Sequence, residues 1–363
     1  MAEWLDSGAF MVDARQAPSP HETDNLESQR GRTATQPQAI PPRGWWDILV
    51  RVWKSSGKEH VTLIAAGLAM YALLAIFPGL AAAVSIYGLF ATPADVVGHM
   101  QGFAAILPPG TWDLLKDQLQ TVASHSGASL SVAAVGSLAI ALWGARSGIA
   151  ALMVAMNIAY SEPERRGFFR QIFISLGLTL GAVAGFLALL AVGIGLPLVL
   201  KLFGAHHIVE LAANGVRWLL LWVMVVLGLA ILYRFGPARH RARWRWVTWG
   251  STIAATLWIA TSLAFSWYVT SFATYGKTYG ALGGVIALLM WLYVSSLMVV
   301  LGAQINAEME RQTRRDTTEG PEKPLGERGA YAADTVGERA GAPPSEGSGA
   351  PDGSPLPRVR QKA

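Results

Sequence analysis

The sequence predicts an all-α polytopic membrane protein with six transmembrane helices, both termini in the cytoplasm, and short amphipathic helices beside the spans. The 363 residues are 52% hydrophobic and only 15% charged, whereas soluble proteins carry about 25% charged residues. The charged residues are concentrated near the two ends of the chain and in short segments between long apolar stretches. Those stretches reach the roughly 20 residues that a helix needs to cross the hydrocarbon layer.

Six segments meet this length criterion, and several exceed it by a helical turn or two. They are residues 61–90, about 130–160, 168–200, about 212–235, 246 to about 275, and about 281–307. The first has no Asp, Glu, Lys or Arg, the second contains Arg146, and the fourth has Arg217 near its start. The extra length predicts tilted or kinked helices, or helices that extend beyond the lipid.

Lys and Arg in the connecting segments predict the orientation, because they accumulate on the cytoplasmic side of membrane proteins. Basic residues precede the first span, separate the second from the third and the fourth from the fifth, and follow the sixth: Arg43, Arg51, Lys54, Lys58, Arg165, Arg166, Arg170, Arg234, Arg239, Arg241, Arg243, Arg245, Arg311, Arg314 and Arg315. The other side has little more than Lys116, Lys201 and Lys277. Both termini are therefore expected in the cytoplasm.

The domain organisation follows from composition. Residues 44–312 form the predicted transmembrane domain, and residues 1–43 and 313–363 form two cytoplasmic tails. Both tails are rich in Pro, Gly, Ser, Glu and Arg and lack apolar periodicity. They are expected to be disordered, because they bury too little apolar surface to offset the entropy of ordering.

Two amphipathic helices are predicted outside the spans. Before the first span, the apolar residues Trp45, Trp46, Leu49, Val52 and Trp53 recur at helical spacing, while Arg51 and Lys54 face elsewhere. This pattern is typical of a helix in the cytoplasmic headgroup layer; a helix packed against the bundle is the alternative. The second is expected in the external loop, residues 91–129, either as a seal over the bundle or as a lid.

Arg146 is the first candidate for a functional residue, because a charge at this depth is costly and usually serves a function. Its guanidinium group could hold an anionic headgroup or a phosphate. The structural alternative is that Arg146 snorkels, or bonds to carbonyl groups near Gly144 and Gly148.

The other candidates are polar or helix-distorting residues inside the spans. Asn157, Gln304, Asn306 and Glu308 are expected at the same depth near the inner ends of the second and sixth spans, as a polar cluster or as helix caps. Tyr71 and Pro78 lie in the first span, where Pro78 should kink the helix. Tyr268 and Trp291 belong to the polar and aromatic fifth and sixth spans, which could line a cleft or pack together.

No enzymatic machinery is predicted. The chain has no cysteine, and the spacings of zinc-binding histidines, of a phosphate-binding P-loop and of a Gly-x-Ser-x-Gly nucleophile are absent. No catalytic residue, metal ligand or cofactor is therefore expected. No span has an acidic residue at its centre, which argues against a buried proton relay.

Several segments resemble the YihY/virulence factor BrkB family. They are residues 65–78, residues 142–149 followed by Asn157 and Tyr160, residues 232–237 with 246–250, and residues 279–282, 290–293 and 301–306. The resemblance covers roughly residues 45–310. It implies a bacterial inner-membrane protein with six helices and cytoplasmic ends. Members have carried the label ribonuclease BN, generally regarded as a misassignment, and some are associated with serum resistance or envelope lipid movement. No catalytic residues are established for the family, so none is carried over.

These sequence features are compatible with three functions. The leading one is transport or flipping of an anionic lipid or small organic anion, with Arg146 and the polar faces of the last two spans lining the path. The alternative is a non-transporting scaffold whose tails and amphipathic helices recruit envelope partners. Ribonuclease activity could use the basic loop around Arg239, but the cytoplasmic bias of basic residues explains that loop better. Membrane lipids, and not nucleic acid, are the expected partners.

Overall fold

The computed structural model describes residues 27–87, 132–195, 207–271 and 281–341. The long helices are α1 (Pro42–Lys58), α2 (Val61–Tyr87), α3 (Val132–Ala159), α4 (Phe168–Leu190), α5 (His207–Phe235), α6 (Trp244–Ser271) and α7 (Ala281–Glu310), and a short helix α8 (Tyr331–Asp334) follows. The only β-structure in these ranges is an isolated antiparallel bridge between Ala242 and Thr318. The predicted all-α class is confirmed. The external loop predicted at 91–129 lies outside the described residues.

Five helices, α3 to α7, are each long and apolar enough to cross a membrane. A sixth candidate is formed by α1 together with the first part of α2, whose axes differ by 68°. The predicted six crossings are therefore reached when this bent pair is counted as one of them. Their outer surfaces are apolar, as expected for helices surrounded by lipid; in α5 only 6% of the most apolar stretch is buried.

The helices pack as a bundle in which α7 is central. Helix α7 packs against α2 and α6, α2 also packs against α3, and α4 lies between α3 and α5.

Contacts between chain segments show that α1, the 160–167 and 236–243 loops and residues 311–341 meet at one end. Examples are the hydrogen bond from the Ala238 N–H to Asn157 Oδ1 (2.7 Å) and that from the Tyr331 N–H to Glu162 Oε1 (2.6 Å). We call this the basic end.

The basic end contains two clusters of buried apolar side chains. One apolar cluster there includes Met156, Tyr233 and Val247, and a second joins α1 to the last two long helices through Ile48, Trp246 and Met309. All six side chains are at most 2% exposed. The arginine-rich loops are thus attached to a tightly packed end of the bundle.

Parts of both tails are ordered, which corrects the prediction of disorder for residues 27–43 and 313–341. We call residues 313–341 the carboxy-terminal strap. Its Thr313 Oγ1 donates to the Ala34 carbonyl oxygen (2.7 Å), and its Arg314 N–H donates to the Arg32 carbonyl oxygen (2.8 Å). The buried Arg328 donates to carbonyl oxygens of four strap residues. The prediction of disorder relied on the lack of apolar periodicity, whereas hydrogen bonds hold these segments in place. Residues 1–26 and 342–363, also predicted to be disordered, lie outside the described ranges.

Helix α1 has two faces, and Arg51 lies away from Trp46, Leu49 and Trp53, as predicted. The prediction grouped Val52 with the exposed residues, whereas Val52 shares the buried face with Arg51. Arg51 is buried beside Ile48 and Val52, because Glu308 and Gln312 at the end of α7 accept its hydrogen bonds. The other face exposes Trp46 (64%), Leu49 (52%) and Trp53 (82%). One face of the helix thus packs against the bundle, as the alternative held, and the aromatic face is free of it. The position of this helix in the headgroup layer stays a prediction.

Candidate functional site

Arg146 lies near the middle of α3. It is about 20 Å along the α3 axis from Ala159, at the basic end of that helix. Its Nε–H donates to Ser175 Oγ of α4 (2.7 Å), and its guanidinium carbon lies 4.9 Å from the centroid of the Trp143 ring. The Ser175 hydroxyl in turn donates to the Ile172 carbonyl oxygen (2.9 Å). The partner of Arg146 is therefore a serine on a neighbouring helix, and not the carbonyl groups near Gly144 and Gly148.

The face of α3 beside Arg146 is open to the surroundings of the bundle. Trp143 is 57% exposed and Ile140 is 76% exposed, whereas Ser175 on α4 is fully buried. Arg146 itself is half-buried. Its guanidinium group consequently sits at the border between the α3–α4 contact and the outer surface. In the part of the chain that the structure describes, Arg146 forms no ion pair with a carboxylate.

Two glycines set the position of α3 against α2. A Cβ atom at Gly144 would lie 2.9 Å from the Pro78 Cβ, and one at Gly148 would lie 2.9 Å from the Ala75 Cβ. This spacing of small residues lets two membrane helices approach closely. At 100° per residue, Arg146 points away from the two glycines, so the α2 contact directs it toward α4. Pro78 takes part in this packing contact.

The other residues predicted for the path do not converge on Arg146. In the α6–α7 contact, Trp291 Nε1 donates to Ser262 Oγ (3.3 Å) and Trp258 Nε1 donates to Ser295 Oγ (2.9 Å). The polar groups of these two helices therefore bond to each other, which is the packing alternative. Tyr268 is 48% exposed and Tyr71 is 51% exposed.

A polar cluster does form at the basic end, around Gln304 and Glu308. Gln304 Oε1 accepts from Ser56 Oγ (2.6 Å), and its Nε2 donates to Glu59 Oε2 (2.8 Å). Glu308 accepts from Arg51 Nε (2.5 Å) and from Arg311 Nη1 (2.6 Å). A cavity of about 10 Å³ borders the cluster, the space of about one water molecule. The cluster joins α1 and the turn after it to the end of α7.

Asn157 and Asn306 were expected either in a polar cluster or in caps and interhelical hydrogen bonds, and the structure places them in two separate contacts. Asn306 Oδ1 accepts from the Gly250 N–H (3.0 Å), and a Cβ at Gly250 would clash with this amide. Asn157 bonds to Ala238, as described above, and its Nδ2 donates to Glu164 Oε2 (2.9 Å). Both asparagines thus act through interhelical and loop hydrogen bonds.

Sequence reasoning missed a buried ion pair behind this cluster. Arg239 Nη2 lies 2.7 Å from Glu310 Oε2, and the two side chains are 2% and 1% exposed. The Arg239 guanidinium stacks on the Tyr160 ring (4.8 Å), and Thr317 Oγ1 of the strap donates to the same Glu310 oxygen (2.7 Å). Burial alone would lower the pKa of Arg239, but Glu310 raises that pKa above its usual value. The basic composition of the 236–243 loop was the only sequence signal, and it was interpreted as orientation alone.

Two glutamates in the 160–167 loop have opposite pKa shifts. Burial raises the pKa of Glu162. Hydrogen bonds from Arg166 lower the pKa of Glu164 to about 2. Within the described ranges, no group of three or more His, Asp or Glu residues is placed to hold a metal ion.

Comparison with known proteins identifies the family. The family model described as virulence factor BrkB matches residues 52–326, from the second half of α1 into the strap. The chain belongs to this family. It is 30% identical over 256 residues to a protein of Bacillus subtilis (strain 168) named as ribonuclease-like protein YfkH, covering 69% of this chain and 90% of that relative.

Other relatives carry a membrane-protein name. A UPF0761 membrane protein of Vibrio campbellii is 30% identical over 278 residues, covering 72% of this chain and 82% of the relative. A second, of Haemophilus influenzae, is 24% identical over 264 residues, covering 71% and 93%. No solved structure matches the chain significantly. The family membership and the apolar helices together establish a multi-pass membrane protein.

Proposed function

We propose that this protein moves an anionic lipid, or a small organic anion with similar headgroup chemistry, across a bacterial inner membrane whose cytoplasmic side faces the basic end. The observation that carries the proposal is the position of Arg146. A guanidinium group at this depth raises the free energy of insertion by about 2.5–3.5 kcal/mol. The sequence retains that charge without an acidic partner among the described residues, which favours an anionic ligand as the missing partner.

The geometry around Arg146 supports lipid in preference to a fully enclosed anion. Ser175 occupies the Nε–H, which leaves the two Nη groups to form a bidentate contact with a phosphate. Trp143 lies beside the guanidinium and is exposed on the outer surface of α3. A lipid headgroup could thus slide along the α3–α4 border while its acyl chains stay in the bilayer.

The test is transbilayer movement in vesicles. Wild-type protein is reconstituted with fluorescent phosphatidylglycerol or phosphatidylcholine, and the rate at which label becomes accessible from outside is measured. We expect phosphatidylglycerol to move faster, Arg146→Gln to slow it about tenfold or more, and Arg146→Lys to restore part of the rate because charge remains without the planar fork. Arg170→Gln, which removes an exposed arginine of α4, is the matched control. A full rate in Arg146→Gln would reject the proposal.

A scaffold function is the second candidate, favoured by the exposed loop 319–327 that the ordered strap presents at the basic end. Deleting the whole region 313–363 would not test it cleanly, because residues 313–341 pack against the rest of the protein. Truncation after Gly341 and, separately, replacement of exposed residues such as Leu325 (44% exposed) would test recruitment without removing the buried strap contacts. Lipid movement should be unchanged in both variants if the protein is a transporter.

We propose no enzymatic activity. The ribonuclease-like name belongs to the Bacillus relative, and nuclease function here would have to use the arginines around the 236–243 loop. Several of these bond within the protein: Arg239 pairs with Glu310, Arg234 with Glu319 (2.9 Å), and Arg243 Nε donates to the Thr318 carbonyl oxygen (2.8 Å). Metal-dependent cleavage of RNA by the purified protein would contradict this part of the proposal.

A further inference from the structure

The exposed face of α1 combines aromatic and cationic side chains. Trp46, Leu49 and Trp53 are its large exposed apolar residues, and the exposed charged residues of the helix are Arg43, Lys54 and Lys58. The single acidic residue of α1, Asp47, is fully buried and pairs with Arg30 (2.7 Å). All the charge that α1 presents to its surroundings is therefore positive.

The orientation of α1 places this face at a membrane surface. Its axis differs by 68° from that of the first part of α2. Because α2 is apolar and leads into the bundle, a helix bent through this angle runs closer to the membrane plane than to its normal. Amphipathic helices with Trp and Leu on one side and Lys or Arg beside them bind the headgroup region of anionic membranes.

An open groove of about 620 Å³ lies beside this face. Residues of α1 and its neighbour Arg30 line one part of it, and residues at the end of the strap line another: Arg30, Pro42, Arg43, Trp46, Asp47 and Val50 on the first side, and Ala340 and Gly341 on the second. The positive charge of Arg30 is paired with Asp47, because Arg30 Nη1 donates two hydrogen bonds to the Asp47 carboxylate. Arg43 Nη1 donates to the neutral amide oxygen of Gln29 (3.0 Å). Among the residues that the structure describes, no carboxylate forms an ion pair with Arg43, so Arg43 brings a positive charge to the groove.

We infer that this groove binds the headgroup of an anionic phospholipid, with Arg43 at the phosphate and Trp46 and Trp53 against the glycerol and acyl chains. The cation supplies the electrostatic attraction and the tryptophans supply the interfacial anchoring that such lipids require. The site lies at the basic end, separate from Arg146. It does not depend on the proposed function, because a resident lipid here would anchor α1 and the strap whether or not the protein moves lipid.

The test uses a local probe, so that lipid at Arg146 does not contribute. The chain has no cysteine, so a single Leu49→Cys variant of the full-length protein can be labelled with a fluorophore at the α1 face. The protein is placed in phosphatidylcholine nanodiscs that contain a minority of either phosphatidylglycerol or phosphatidylcholine brominated near the carboxyl end of its acyl chains. Bromine quenches only fluorophores in contact with it, so quenching reports lipid occupancy at α1.

We expect brominated phosphatidylglycerol to quench at least about threefold more than brominated phosphatidylcholine, because the groove selects the charged headgroup. Arg43→Gln should remove this preference, and Arg43→Lys should keep part of it. Arg165→Gln, which removes an exposed arginine of the same end outside the groove, should leave it unchanged. Equal quenching by the two lipids in the parent protein, an unchanged preference in Arg43→Gln, or equal losses in Arg43→Gln and Arg165→Gln would each overturn the inference.

Discussion

Arg239 and Glu310 form an ion pair that is almost completely removed from solvent, with 2.7 Å between Nη2 and Oε2. The pair links the 236–243 loop to the end of α7, and Tyr160 and Thr317 complete its surroundings. The pair and its neighbours therefore connect the strap, the 160–167 loop and the 236–243 loop to the end of α7.

Removing one partner of this pair should be strongly destabilising. Arg239→Met leaves the Glu310 carboxylate buried without its counter-charge, which costs about 3–5 kcal/mol in comparable buried pairs. Thermal unfolding of the detergent-solubilised protein measures the effect. The double variant Arg239→Met with Glu310→Met should recover part of the loss, because no unpaired buried charge remains.

The exposed pair between Arg314 and Glu27 provides the control. Its side chains are 54% and 20% exposed, so Arg314→Gln should change stability by less than about 1 kcal/mol. Equal destabilisation by Arg239→Met and Arg314→Gln would show that burial of the first pair is unimportant.

Glu162 and Glu164 should contribute opposite pH dependences to stability. Burial raises the pKa of Glu162 above 4.5, so between pH 4.5 and that raised pKa the folded protein keeps a proton that the unfolded chain has released. The contribution of Glu162 to the free energy of unfolding therefore falls as pH rises through this range. Glu162→Gln should therefore stabilise the protein at pH 7. We expect a higher unfolding temperature at neutral pH and no gain near pH 4.

Glu164 has the reverse sign. Its pKa is lowered from 4.5 to about 2, so its contribution is present above pH 4.5 and is lost as pH falls toward 2. Glu164→Gln should lower the unfolding temperature at pH 7, by an amount limited by the exposure of the residue. The same sign for both variants would contradict the assignment.

The close contact of α2 and α3 should tolerate no side chain at Gly148. In Gly148→Ala the new Cβ would lie 2.9 Å from Ala75 Cβ, so the helices must separate, at about 1–3 kcal/mol. The displacement should also misplace Arg146 and slow lipid movement. Gly136→Ala is the control on the same helix, since a Cβ there meets nothing within 4 Å and alanine favours a helix more than glycine does. A similar loss in that variant would show that the contact with Ala75 is not the cause.

The orientation can be checked with single cysteines. Arg165→Cys at the basic end should react with a membrane-impermeant maleimide only after cells are lysed, whereas Ser124→Cys, in the loop predicted to be external, should react in intact cells. Labelling of Arg165→Cys from outside would invert the proposed topology.

The lengths of the apolar segments in the sequence predicted much of the fold. The predicted third span, 168–200, begins at the same residue as α4, and the predicted sixth, 281–307, corresponds to α7, Ala281–Glu310. The contact between Arg51 and Glu308 was not predictable in this way, because the two residues are 257 positions apart and polar pairs leave no periodic pattern. For the same reason the strap was interpreted as disordered.

Of the residues in the candidate site around Arg146, the sequence predicted only Arg146 itself. Depth in the span identified Arg146, but nothing in the sequence indicated Ser175 as its partner, since serine is common in membrane helices as a packing residue. Trp291 was expected near the path from its chemistry, whereas its hydrogen bond to Ser262 shows a packing contact within the described helices.

The most direct measurement is an experimental density map of the protein in nanodiscs that contain phosphatidylglycerol. A headgroup at the α3–α4 border, with its phosphate within hydrogen-bonding distance of the Arg146 Nη groups and absent in Arg146→Gln, is the expected result. A guanidinium group enclosed by protein carbonyl groups, with no lipid density beside Trp143, would contradict the account.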